Sequence, residues 1–83
     1  MKKVFLYTLS TCSHCRATKR FLNEQGIDYD FIDVDLLEGD EKKQILEEVM
    51  KYNPQRSFPT IIIEGKVIVG HNEQAIKEAL GLP

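Results

Sequence analysis

The chain has 83 residues, 42% of them hydrophobic and 29% charged, with a formal net charge of -2, which describes one small domain over residues 1–83 with enough apolar material for a core. No basic excess exists to neutralise phosphates or hold an anionic membrane, so nucleic acid and membranes are not expected partners. No apolar run approaches the roughly 18 to 20 residues of a membrane span, and two cysteines are too few for a disulfide-stapled scaffold; a cytoplasmic monomer is expected.

The elements follow in chain order. Residues 3–8, KVFLYT, form a β-rich run with apolar side chains on both faces, as a central strand requires. Ser10 and Thr11 are candidate caps for a helix from about Ser13 to Gln25, with Ala17, Phe21 and Leu22 on one side and Gly26 as its stop. A second strand is expected over residues 29–34. Gly39 and Asp40 open a second helix with an acidic start that suits the macrodipole. Ile45, Leu46, Val49 and Met50 form its apolar stripe, and Asn53 and Pro54 end it. Residues 59–69, PTIIIEGKVIV, read as two strands around a Glu64-Gly65-Lys66 turn. Asn72 then caps a last helix, in which Ile76, Ala79 and Leu80 face inward and Gly81 terminates.

The order βαβαββα defines an α/β fold. A βαβ start demands a parallel strand pair, and the later hairpin adds antiparallel strands, giving a mixed four-stranded sheet flanked by three helices. The first strand-to-helix turn lies at the carboxyl edge of a parallel strand, where open α/β sheets place their chemistry. Residues 11–15, TCSHC, fall on that turn.

Cys12 and Cys15 at i and i+3 share one helix face, a spacing compatible with the Cα separation of roughly 4.4 to 6.8 Å that a disulfide needs. Cys12 projects from the exposed helix end, and Cys15 sits one turn inward, so their roles should differ. A thiolate is the attacking species, and a free thiol with pKa near ~8.5 is only a few per cent ionised at neutral pH. The helix dipole supplies part of the stabilisation, and first-turn N–H groups, the Cys15 S–H and a protonated His14 can supply more. An activated Cys12 sulfur is the expectation. Ser13 and His14, between the cysteines, are the candidate tuning residues. His14 admits a second reading as a solvent-facing helix residue.

The CSHC pair after the first strand, Arg56-Ser57-Phe58-Pro59-Thr60 at the start of the third, and Gly70 after the fourth occur in an order and spacing that resemble the glutaredoxins of the thioredoxin superfamily. The resemblance covers essentially the whole chain and implies a thioredoxin-like fold. It implies a cis Phe58–Pro59 bond, which the statistics of X–Pro bonds alone would not suggest, and backbone hydrogen bonds from Phe58 to an extended substrate. It further implies a substrate groove lined by Arg56, Phe58, Pro59, Gly70, His71 and Asn72. The implied reaction is reduction of protein disulfides: Cys12 attacks, a mixed disulfide forms, and Cys15 resolves it.

The chain departs from the pattern of glutathione-using members at two places. Leu9 stands where they carry a lysine three residues before the first cysteine, and Val69-Gly70 replaces their Gly-Gly pair. Reduction by glutathione or by a thioredoxin-reductase-type protein therefore both stay open, and no tightly bound cofactor is expected. A zinc site lacks ligands, since structural zinc takes four and only Cys12, His14, Cys15 and His71 are available, with His14 and Cys15 on different helix sides. No metal site is expected. The alternatives are a glutathione-assisted iron–sulfur carrier, for which Ser13 is a compatible residue, and a metal-binding or interaction module without catalysis. Arg16, Lys19 and Arg20 read as a solvated helix face, His71 as a surface loop residue, and Phe21 and Met50 as core.

Overall fold

The computed structural model describes residues 3–55 and 57–82; Arg56, expected at the substrate groove, lies outside them. Strand β1 (Val4–Thr8) leads into helix α1 (Ser13–Glu24), strand β2 (Asp30–Asp33), a single 3-10 turn (Val34–Leu36) and helix α2 (Gly39–Tyr52). Strands β3 (Thr60–Ile63) and β4 (Lys66–Val69) and helix α3 (Glu73–Leu80) complete the chain. The sheet order is β2-β1-β3-β4, with β1 parallel to β2 and antiparallel to β3, and β3 antiparallel to β4. The expected βαβαββα order and mixed four-stranded sheet are thus observed, and only the short 3-10 turn is added.

The period-2 alternation of β1 explains why the sheet is covered on both sides. Val4 and Leu6 face α1 and α3 in a cluster with Phe21, Leu22, Ile76 and Ala79, while Phe5 and Tyr7 face the α2 side with Val34 and Val49. In β3, Ile61 and Ile63 join the first cluster and Ile62 the second. The strand run that looked apolar on both faces is the sheet's centre because both faces carry helices. The α2 stripe is narrower than expected: Ile45, Leu46 and Val49 pack inward, but Met50 is 44% exposed. One residue past the fully buried Val49, Met50 is rotated about 100° away from the sheet and borders a shallow cleft with Lys42, Lys43 and Leu46.

The β3–β4 turn places Glu64 at φ 48° and Gly65 at φ 85°, the left-handed pair of a tight hairpin, where Gly adopts the conformation without steric cost. Among the described residues no helix is long and apolar enough to cross a membrane. Leu22 is fully buried between α1 and the sheet. Leu22→Ala should therefore lower the unfolding free energy by about 2–5 kcal/mol, read as a shift in the urea midpoint at constant slope.

Candidate active site

Three strand ends meet at one edge of the sheet. Tyr7 pairs with Thr60, and Thr60 with Val69. The register therefore puts the residues following β1, the residue preceding β3 and the residue following β4 side by side. Those are the turn into Cys12, Pro59 and Gly70. Residues far apart in sequence become neighbours because β1 and β4 both run toward this edge and β3 starts from it.

The turn from β1 to α1 is held by a carboxylate. The Cys12 N–H donates to the Leu9 carbonyl at 3.2 Å, and Asp35, in the 3-10 turn after β2, accepts from the Ser10 N–H at 2.8 Å and from the Ser10 hydroxyl. These bonds from Ser10 hold the Asp35 carboxyl below its ordinary value of 3.8. The capping role expected of Ser10 and Thr11 falls instead to Cys12. Its backbone is extended, with φ -86° and ψ 121°, and its sulfur accepts from the Cys15 N–H at 3.2 Å. Ser10 is drawn away by Asp35, so the sulfur supplies the N-cap acceptor that a hydroxyl or carboxylate usually supplies.

Both cysteines are free, Cys12 partly exposed and Cys15 fully buried. Burial pushes the Cys15 thiol up to about 12, reinforced by its hydrogen bond to the Cys12 sulfur; the Leu9 N–H and the Lys19 charge pull the other way. Ser13 and His14 are exposed in the first helical turn, and the His14 carbonyl accepts from the Thr18 hydroxyl at 3.1 Å. Lys19 is withdrawn from the expected solvated face. Its ammonium lies 3.3 Å from Asp33 at the end of β2 and 3.8 Å from the centre of the Phe31 ring. Asp33 in turn accepts from the buried Thr8 hydroxyl at 2.6 Å.

The opposite wall contains the cis Phe58–Pro59 bond. Phe58 packs its ring toward the Tyr7, Val34 and Val49 cluster, and the Pro59 carbonyl accepts from the Gly70 N–H at 2.8 Å. Gly70 sits at φ 83°, a left-handed conformation that strains a residue with a Cβ. His71 is more firmly held than a surface loop residue. Nδ1 lies 2.9 Å from the Thr18 hydroxyl and Nε2 lies 3.2 Å from Glu73, and its ring meets Phe21 edge-on. The Asn72 side chain caps α3 by accepting from the Ala75 N–H at 3.1 Å. Among the described residues no three His, Cys, Asp or Glu side chains converge as a metal centre requires.

A sequence model of the glutaredoxin family matches residues 4–68. The chain belongs to the glutaredoxin family. A glutaredoxin-like 8.6 kDa protein of the Clostridium pasteurianum rubredoxin operon is 35% identical over 75 residues, spanning 90% of this chain and 93% of its own. Among solved structures, a Methanosarcina mazei glutaredoxin is 49% identical at a TM-score of 0.88, covering 96% of this chain and 79% of that one. Methanosarcina acetivorans methanoredoxin is 46% identical at a TM-score of 0.90, covering 96% and 85%. The fold of this glutaredoxin is thioredoxin-like, and its cysteine pair stands on the edge described above.

The sequence alone assigns no site role to Asp35, Thr18 or the Lys19–Asp33 pair. The only available signal was the pair of acidic residues Asp33 and Asp35 at and just past the end of β2. Two measurements test the electrostatics of this edge. Iodoacetamide at about pH 8 should modify Cys12 and leave Cys15 unmodified until the protein is unfolded, as read by peptide mass mapping. The Asp35 clamp should contribute to stability above the ordinary carboxyl range and be lost as the pH falls through and below 3.8. An acid titration of Asp35→Asn followed by circular dichroism should lack that component.

Proposed function

We propose that this glutaredoxin reduces protein disulfides by dithiol exchange through Cys12 and Cys15. The observation that carries the proposal is the unequal pair itself: an accessible sulfur receiving the N–H of a fully buried cysteine one turn inward. In the first step the Cys12 thiolate attacks one sulfur of the substrate disulfide. A Cys12–substrate bond forms, the substrate S–S bond breaks, and the departing thiolate takes a proton from water. In the second step Cys15 loses its proton and attacks the Cys12 sulfur. The Cys12–Cys15 disulfide forms, the Cys12–substrate bond breaks, the departing substrate thiolate takes up a proton equivalent to the one Cys15 released through water, and two electrons have passed to the substrate.

The environment of Cys15 supports this sequence. Two of the three influences that raise its pKa to about 12 are the hydrogen bond and the charge of Cys12. Both disappear once the Cys12 sulfur is tied up in a mixed disulfide. The Leu9 N–H and the Lys19 ammonium, which favour the Cys15 thiolate, remain. Burial, the largest influence, still favours the thiol, so the mixed disulfide lowers the barrier to deprotonating Cys15 without removing it.

The groove for an extended substrate runs along Phe58, Pro59 and Gly70, with His71 and Asn72 at its rim; Arg56, which the family resemblance assigns to substrate binding, lies outside the described residues. Ser13 and His14, at the open end of α1, tune the Cys12 thiolate. No tightly bound cofactor takes part. The electron donor is a thioredoxin-reductase-type protein. Leu9 removes the cation that would meet a tripeptide carboxylate, a charge-assisted contact on the order of 1.5–3 kcal/mol, and the Asn72 side chain is occupied in capping α3. The reaction suits a reducing cytoplasm, where a surface disulfide is made and broken in each turnover.

Oxidised protein supplied with NADPH and thioredoxin reductase should consume NADPH, and supplied with glutathione, glutathione reductase and NADPH should consume it at least ~10-fold more slowly. Cys12→Ser should be inactive on a protein disulfide, whereas Cys15→Ser should accumulate a mixed disulfide visible by mass. Equal turnover in wild type and both variants would sink the proposal.

A further inference from the structure

Asn53 is a polar group that the sulfur chemistry does not use. It is 3% exposed and ends α2, its backbone N–H donating to the Val49 carbonyl at 2.7 Å. Its side-chain nitrogen lies 3.0 Å from the Ser57 carbonyl, 3.0 Å from the Ser57 hydroxyl and 3.3 Å from the Thr60 hydroxyl. The side-chain oxygen accepts from the Gln55 N–H at 3.2 Å, and the Thr60 hydroxyl donates to the Ser57 carbonyl at 2.9 Å. Ending a helix requires none of this, because glycine does it without a side chain. Burying an amide is unfavourable unless its hydrogen bonds are made, and here they are made to both sides of one short loop.

That loop carries Phe58 and Pro59. Ser57 precedes them, Thr60 follows them as the first residue of β3, and the Pro59 carbonyl is joined to Gly70 on the far side of the groove. We propose that Asn53 is a positioning residue for substrate recognition, its side-chain N–H groups holding Ser57 and Thr60 so that the Phe58–Pro59 backbone is presented to an incoming disulfide. This deepens the proposed disulfide exchange and rests on it. Asn53 takes no part in the sulfur steps.

Asparagine is suited to the position because it offers two donors to a cluster of three oxygens and one acceptor to Gln55. Aspartate has the same shape and keeps the acceptor, but when ionised it has no donor and sets a negative oxygen against the Ser57 carbonyl. Alanine removes the donors without adding a charge. The two substitutions therefore separate loss of the brace from repulsion.

The test compares wild type, Asn53→Asp and Asn53→Ala, each confirmed folded by circular dichroism, on a disulfide-bearing peptide. At about pH 7.5 Asn53→Asp should raise KM about tenfold with kcat within about twofold of wild type, and Asn53→Ala should raise it by a smaller factor. Alkylation of Cys12 should proceed at the wild-type rate in both. At about pH 5.5 the ratio of Asn53→Asp to wild type should move back toward one, because an enclosed carboxyl facing a carbonyl oxygen takes up a proton and regains a donor. Asn53→Ala supplies the same KM-against-kcat split should the aspartate variant not fold.

A wild-type KM in a folded variant overturns the inference, as does a fall in kcat together with slower Cys12 alkylation. Failure of the exchange reading itself is distinguishable, because wild type would then not turn over the peptide. The brace is then judged by hydrogen exchange at the Gly70 amide, which is bonded to Pro59. Faster exchange in Asn53→Asp supports it, and an unchanged rate overturns it.

Discussion

The first turn of α1 sets the terms for the rest of the molecule. A helix begins with N–H groups that have no intrahelical acceptor, and here one of them, from Cys15, is met by the Cys12 sulfur. The same contact completes the helix and holds the sulfur in an electropositive setting. It works only if Cys12 stands at the cap with extended backbone, and that requires the turn before it to be fixed. Asp35 fixes it through Ser10. Because Asp35 stands in the 3-10 turn that continues from β2, the parallel pairing of β1 and β2 is a condition for the geometry of the cysteine pair.

The remaining polar groups at this edge tie its elements together in a ring. Thr8, at the end of β1, meets Asp33 at the end of β2, and Asp33 meets Lys19 on α1. On the other side His71 meets Thr18 on α1, while Gly70 meets Pro59. Each bond is worth only about 0.5–1.5 kcal/mol net, less than the apolar clusters on either sheet face supply. Their effect is positional. Non-directional burial cannot set the height of one strand end relative to another within a few tenths of an ångström, and directional bonds can.

How much of this was legible in the sequence follows from the range of each signal. The strands and helices are written in local periodicity, and their order determines the crossover and the sheet. Cys12, Cys15 and Pro59 carry chemistry or backbone geometry that few other residues offer. Asp35 and Ser10 lie 25 positions apart, and His71 and Thr18 lie 53 apart. Nothing local in either residue names its partner, because the pairing depends on register. Met50 was misplaced for a related reason: an apolar residue at the margin of a stripe is buried only if the neighbouring element extends over it. The capping sulfur was hidden by a true generality, since hydroxyls and carboxylates do lead at helix starts, and Asp35 had to claim Ser10 before Cys12 took that role.

The same commitments bear on what a partner can be. The Phe58 ring is turned into the α2-side cluster, the Asn72 side chain is spent on its helix, and the His71 ring is held on both nitrogens. With those side chains engaged inside the protein, the proposed groove is left with backbone groups to offer, and main-chain hydrogen bonds recognise an extended strand with little regard to its sequence. The exposed side chains on α1 near this edge are Ser13 and His14, with Arg16 and Arg20 further along the helix. These are cationic or neutral, and Lys19 is paired with Asp33 instead of joining them. Any charge preference that this surface lends to the proposed exchange is modest and sensitive to salt, since exposed charges act through water.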